Sequence, residues 1–220
     1  MIYVDPEQFI ITRKRKKYKF ALFANSPLCF ELDEWPKQPV DEVEIGAGTG
    51  LFSVELATLY PGRKFLALDI KADRLQKGAK EAEARRLQNI WFVRARADQL
   101  AEIIEPNSLE SIWLTFPDPY PKKRSAGRRL THANFLKLYQ QTLSSNGHLQ
   151  LKHDNLGFFC WSLEQLVADK WQIDELSFDL HNSDKEDYTK IMTTYEKRWT
   201  KEGATINYLK SMRAEQGGNS

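Results

Sequence analysis

Two stretches of this 220-residue chain combine residue types that could do chemistry. In Val43-Glu44-Ile45-Gly46-Ala47-Gly48-Thr49-Gly50, three alternate glycines follow a short apolar run and precede a helical period. Glycine lets the backbone approach a ligand and accept positive φ. At a strand-to-helix turn of an open α/β sheet, such a segment faces the crevice at the strands' carboxyl ends. Asp69, closing the next apolar run, offers a carboxylate to ribose hydroxyls, and Glu44 suits a cationic group. Position 51 is Leu, so the G-x-G-x-x-G spacing of dinucleotide sites is not met. A nucleoside without a required pyrophosphate, such as S-adenosylmethionine, therefore fits better than a nicotinamide cofactor. A turn that serves only helix–sheet packing is the competing reading.

The second stretch runs from Ile112-Trp113-Leu114-Thr115-Phe116 straight into Pro117-Asp118-Pro119-Tyr120-Pro121-Lys122-Lys123-Arg124. Prolines at 117, 119 and 121 fix φ and bar helix or central strand, so Asp118 is presented from a stiff loop at a strand's carboxyl end. The lysines and arginine that follow would hold phosphate beyond that carboxylate. The bland alternative is a Pro-rich surface turn with solvated lysines.

Elements able to position these stretches are legible from residue 40 onward. Val43–Ile45, Phe65–Leu68, Ile90–Val93, Ile112–Phe116 and Leu149–Leu151 predict strands, being short, apolar and bounded by turn residues. Leu51–Leu59, Asp73–Leu87, Thr131–Leu143 and Gly157–Asp169 predict helices. Thr131 is the expected N-cap of the third, and Asp73 with Gln76 resembles a capping box. The buried stripe of the fourth should be Phe159, Leu163, Leu166 and Val167. Such alternation means βαβ units and a parallel sheet. Ile173–Leu180 and Ile206–Met212 predict late, antiparallel strands, with Met192-Thr193-Thr194-Tyr195-Glu196 between them. Residues 1–39 read as a basic N-terminal extension in largely irregular chain, 40–213 as one domain, and 214–220 as a flexible tail.

Composition narrows the class. Hydrophobic residues at 41% and charged at 28% exclude disordered and fibrous chains. No apolar run reaches the ~18 residues of a membrane span, and the first residues lack the order of a secretory signal. Cys29 and Cys160 have neither CxxC spacing nor a nearby His cluster, so no metal site or disulfide framework is expected, both should be buried, and the compartment reads as cytoplasmic. A net charge of +2 argues nothing, but its distribution does. Arg13, Lys14, Arg15, Lys16, Lys17 and Lys19 form one block, and Lys122, Lys123, Arg124, Arg128 and Arg129 another. Two such runs suit a polyanion, since each neutralised phosphate adds counterion-release free energy.

A family resemblance rests on five segments in order: Glu44 to Gly50, Phe116 to Arg124, Arg128-Arg129-Leu130, Lys152-His153-Asp154-Asn155 and Thr193-Thr194-Tyr195-Glu196. From about residue 10 to 213 the sequence resembles the bacterial tRNA (guanine-N7)-methyltransferases. The Pro-Asp-Pro-aromatic-Pro-Lys-Lys-Arg element is the most specific part. The resemblance implies an α/β, Rossmann-like class I S-adenosylmethionine-dependent methyltransferase with a mostly parallel seven-stranded sheet and helices on both faces. It implies methylation of guanine 46 in the tRNA variable loop, as a monomer or homodimer with no obligate protein partner. Carried over by position, it implies that Glu44, the glycines 46, 48 and 50, Asp69 and the Arg96-Ala97 position bind cofactor. Asp118 then lies in the active site against the cofactor, and Lys122, Asp154, Thr193, Thr194, Tyr195 and Glu196 contact the guanosine. The basic residues 13–17, 123, 124, 128 and 129 would follow the tRNA backbone without reading bases. The chain departs from the family at Arg96, where an acidic or amide residue is usual, at His153, where Thr is usual, and at Ser125. An RNA-binding module on a degenerate methyltransferase fold, or an amino-group nucleic-acid methyltransferase, are the alternatives.

Overall fold

Strand–helix alternation is realised in two compact units, one up to Ile103 and one from Ile104. The computed structural model of the chain describes residues 3–11 and 13–213. The tail expected from residue 214 lies outside them.

The first unit runs α1 (Lys14–Ala24), β1 (Cys29–Glu31), β2 (Glu42–Ile45), α2 (Leu51–Leu59), β3 (Phe65–Asp69), α3 (Ala72–Ala84), β4 (Ile90–Arg94) and the single turn α4 (Leu100–Ile103). Its strands pair in parallel in the order β1-β4-β3-β2. Every residue of β2 and β3 is buried; β3 accordingly reads as a near-continuous apolar run, whereas β2 alternates Glu42 and Glu44 with Val43 and Ile45.

Three features here were not expected. Among the described residues there are eight strands rather than seven, the additional one being β1. Three residues are too few to show a period, and β1 is defined only by its pairing with Phe92, Val93 and Arg94. The basic run is also helical from Lys14. Cations in a first helical turn oppose the helix dipole, and no acidic residue stands there to offset them. The helix is held chiefly from its other end, where Ala21 and Phe23 are buried, and by packing on α3; in the first turn Lys17 pairs with Glu7, from outside the helix, at 2.9 Å. Asp73 does not cap α3. The N-cap is Lys71, and Asp73 instead lies in the first turn, where its charge favours the helix.

The second unit runs β5 (Leu109–Thr115), α5 (Ala133–Thr142), β6 (Leu143–His153), α6 (Leu156–Ala168), β7 (Trp171–Ser177), α7 (Thr194–Lys201) and β8 (Asn207–Arg213). Its order is β5-β6-β8-β7; β5 and β6 are parallel, and β8 runs antiparallel to both neighbours as expected, whereas β7, the other late strand, runs in the direction of β5 and β6. His132, not Thr131, caps α5, because Thr131 is buried in a 2.8 Å hydrogen bond with Ser162. The buried stripe of α6 is Phe158, Phe159, Ser162 and Leu166, leaving Val167 exposed. Cys160 is consequently exposed, contrary to expectation, while Cys29 is buried, its thiol pushed up to about 12 chiefly by desolvation. No described helix is long and apolar enough to cross a membrane.

Candidate active site

In the first unit, β2 ends in a turn whose three glycines all have positive φ: 74° at Gly46, 58° at Gly48 and 67° at Gly50. Asp69 ties that turn to the end of β3. Its Oδ2 accepts the Gly48 N–H and its Oδ1 the Lys71 N–H, both at 2.8 Å. Burial raises the Asp69 carboxyl above its ordinary range, and these two N–H groups work against that rise. Glu44 is buried, and its Oε2 accepts from the Ser53 hydroxyl at 2.6 Å. Ser53 sits in the second half-turn of α2, and nothing in its spacing marked it.

Gly50 and Gly48 differ in what surrounds them. A Cβ on Gly50 would stand 2.7 Å from Phe92 Cε1, whereas one on Gly48 would meet nothing within 4 Å. Gly48→Ala is expected to cost roughly the 1–2 kcal/mol of a left-handed L-residue. Gly50→Ala adds a core collision and should lower the melting temperature further. Equal melting losses in the two would show that the Phe92 contact does not limit the turn.

Arg96 is fully exposed and its Nε donates to Asp98 Oδ1 at 2.9 Å. The pairing raises the guanidinium and lowers the Asp98 carboxyl, so both stay charged across the neutral range. Ala97 follows, half-buried, at the start of a single 3-10 turn.

In the second unit, β5 gives way to a strained loop. Phe116 has φ 52° and Tyr120 φ 40°, left-handed values that a bulky side chain adopts only when its surroundings impose them. Asp118, between them, is exposed. Arg129 restrains the loop, its Nη2 donating to the Tyr120 carbonyl at 3.1 Å while its guanidinium lies 4.2 Å over the Trp161 ring. Arg128 lies 4.4 Å over the Tyr120 ring. Lys122, Lys123 and Arg124 are exposed.

Asp154 follows β6 and is half-buried. The His153 ring beside it, and the Tyr195 hydroxyl donating to Oδ2 at 3.1 Å, hold its carboxyl below the usual range against burial. Tyr195 projects from α7 with its ring 5.1 Å from that of Phe116. The structure thus gathers Asp154, Tyr195 and the root of the Asp118 loop. Thr194 is exposed. Thr193 caps α7, accepting the Glu196 N–H at 3.0 Å.

Glu196 is placed differently from what the sequence implied. It is wholly buried; Oε2 accepts from Lys152 Nζ at 2.9 Å and the Thr193 N–H at 3.0 Å, and Oε1 faces His181 Nε2 at 2.9 Å. Lys152 Nζ, equally buried, also donates to the Ile191 carbonyl at 2.8 Å. Both oxygens are engaged from inside, so this carboxylate braces the 191–196 segment. Neither Lys152 nor His181 carried a recognisable signal; their partner lies 44 and 15 positions away.

Solved structures with the same fold include the 16S rRNA methyltransferase KamB, at TM-score 0.62 and 14% identity over 83% of this chain and 92% of that one. Another is the 16S rRNA (adenine(1408)-N(1))-methyltransferase of Catenulisporales acidiphilia, at TM-score 0.56 and 15% identity over 87% and 95%. These define a Rossmann-like methyltransferase fold. The family model described as "Putative methyltransferase" matches residues 38–209. Among curated proteins, the tRNA (guanine-N(7)-)-methyltransferase of Brevibacillus brevis is 35% identical over 86% of this chain and 89% of its own length. That of Lachnoclostridium phytofermentans is 32% identical over 96% and 90%. The chain belongs to the tRNA (guanine-N(7)-)-methyltransferase family.

Proposed function

We propose that this chain methylates N7 of guanine 46 in the variable loop of tRNA, in the cytoplasm, with S-adenosylmethionine as donor. The observation that carries the reading is the second unit's constellation: exposed Asp118 on a strained loop, and Asp154 held ionised beside Tyr195. The residues of the first unit fit the cofactor. In the glycine turn a Cβ at Gly48 would meet nothing within 4 Å, so that position is open to a ligand, and Asp69 and Glu44 supply carboxylates for a ribose and an ammonium group.

Bound S-adenosylmethionine supplies the methyl group, which passes to the N7 lone pair while the carbon–sulfur electron pair stays on sulfur. N7 carries no proton, so no general base is needed. What the chain's residues contribute is orientation and charge. Asp118 and Asp154 accept from guanine N1–H and N2–H₂, which fixes the ring and excludes adenine. As the ring becomes cationic, both carboxylates favour the transition state. Thr194 and Tyr195 border the base; Thr193 and Glu196 hold that border in place from within. The exposed cations at Arg13, Lys14 and Arg15, with Lys122, Lys123, Arg124 and Arg128, lie along the phosphates. Arg129, stacked on Trp161, shapes the loop.

Methyl transfer from labelled S-adenosylmethionine to unmodified bulk tRNA, followed by nucleoside analysis, tests this. N7-methylguanosine is the expected product. A methylated adenine, or no transfer with no cofactor binding by calorimetry, would overturn it.

A further inference from the structure

His153, the last residue of β6, is 3% exposed, and both of its ring nitrogens are engaged. Nε2 lies 3.0 Å from the Pro117 carbonyl oxygen, which can only accept, so the ring donates there. Nδ1 receives the Asn155 N–H at 2.8 Å. Together these contacts fix the ring between the Pro117 carbonyl and the Asn155 N–H. The ring is wedged between Phe116, at 6.2 Å, and Phe158, at 4.6 Å.

The same ring therefore joins both candidate carboxylates. Pro117 immediately precedes Asp118, and Asp154 Oδ1 is 3.2 Å from Nδ1. We propose that His153 is a positioning residue. It pins the root of the Asp118 loop, through the Pro117 carbonyl, to the start of α6, through the Asn155 N–H, beside Asp154. The inference rests on the assignment of Asp118 and Asp154 to the guanine.

Asp154 is the charged group beside the imidazole. Phe116 and Pro117 after β5, Phe158 on α6 and Asn207 on β8, which donates to the His153 carbonyl at 2.9 Å, do not titrate. Tyr195 of α7 reaches the ring only through Asp154. Lys152 is bound to Ile191 and Glu196.

The test uses His153→Gln, which keeps a donor for Pro117, and His153→Leu, which keeps neither contact. His153→Gln should retain kcat within ~3-fold, and His153→Leu should lose at least ~10-fold in kcat with KM for S-adenosylmethionine unchanged, as misplacement of a catalytic group does. Full kcat in His153→Leu, or a loss in His153→Gln as large as in His153→Leu, would overturn the proposal. If His153→Leu does not fold, His153→Gln decides alone, a loss of ~10-fold or more in kcat counting against it. If the wild type transfers no methyl group, the functional reading has failed instead. The histidine ¹⁵N spectrum of the folded chain then still reports on the ring, an Nδ1–H tautomer counting against it.

Discussion

Alanine at Asp118 or at Asp154 is expected to lower methyl transfer to tRNA by roughly 10²–10³-fold, the loss seen when one group that stabilises transition-state charge is removed. The two sites should differ in stability. Asp118 is exposed on its loop, and substitutions of that kind usually fall within ~0.5 kcal/mol. Asp154 accepts from Tyr195, and its removal leaves that half-exposed hydroxyl to water at small cost. Asp154→Asn separates charge from shape, because an amide oxygen still accepts from Tyr195. A charge role predicts that Asp154→Asn is nearly as inactive as Asp154→Ala. Near-wild-type turnover in Asp154→Asn, by the same labelled-methyl assay, would eliminate the electrostatic part of the mechanism. Near-normal rates in both alanine variants would remove the site assignment altogether.

Lys152→Met should be the most destabilising single change in the second unit. Both members of the Lys152–Glu196 pair have fully buried side chains. Breaking such a pair by removing one partner costs about 3–5 kcal/mol, because a buried charge is left uncompensated. Against a total stability of ~5–15 kcal/mol, that is enough to unfold a marginal domain. The double variant Lys152→Met, Glu196→Gln should regain much of the loss. It abandons both charges together, while the amide still serves the Thr193 N–H and His181. Urea denaturation midpoints measure this directly. A double variant no more stable than Lys152→Met would show that the charges are not coupled, and would return Glu196 to the list of groups free to meet a substrate.

The helix at Lys14–Ala24 and the burial of Glu196 share one lesson about legibility. Both depend on groups far along the chain. A basic first turn is a poor helix start by local rules, and α1 exists because Phe23 and Ala21 find a surface on α3. The run at 193–196 shows its capping residues, Thr193 and Glu196, in plain spacing, and the structure has them as a reciprocal cap. What spacing could not show is that the same carboxylate also meets Lys152 and His181 inside the fold. Cys160 follows the same logic: which face of α6 turns inward was decided by Phe158 and Ser162 packing, not by composition.

The sequence by itself determined the strand–turn–helix at Glu44 to Gly50, Asp69 at the end of the next strand, and the proline-stiffened loop carrying Asp118. These features are local, set by the allowed φ of glycine and proline and by apolar runs long enough to be strands. Only the tertiary structure decided which carboxylates remain available. Burial and ion pairing are properties of the assembled core, and they withdraw Glu196 while leaving Asp118 and Asp154 at the surface, the second coupled to His153 and Tyr195.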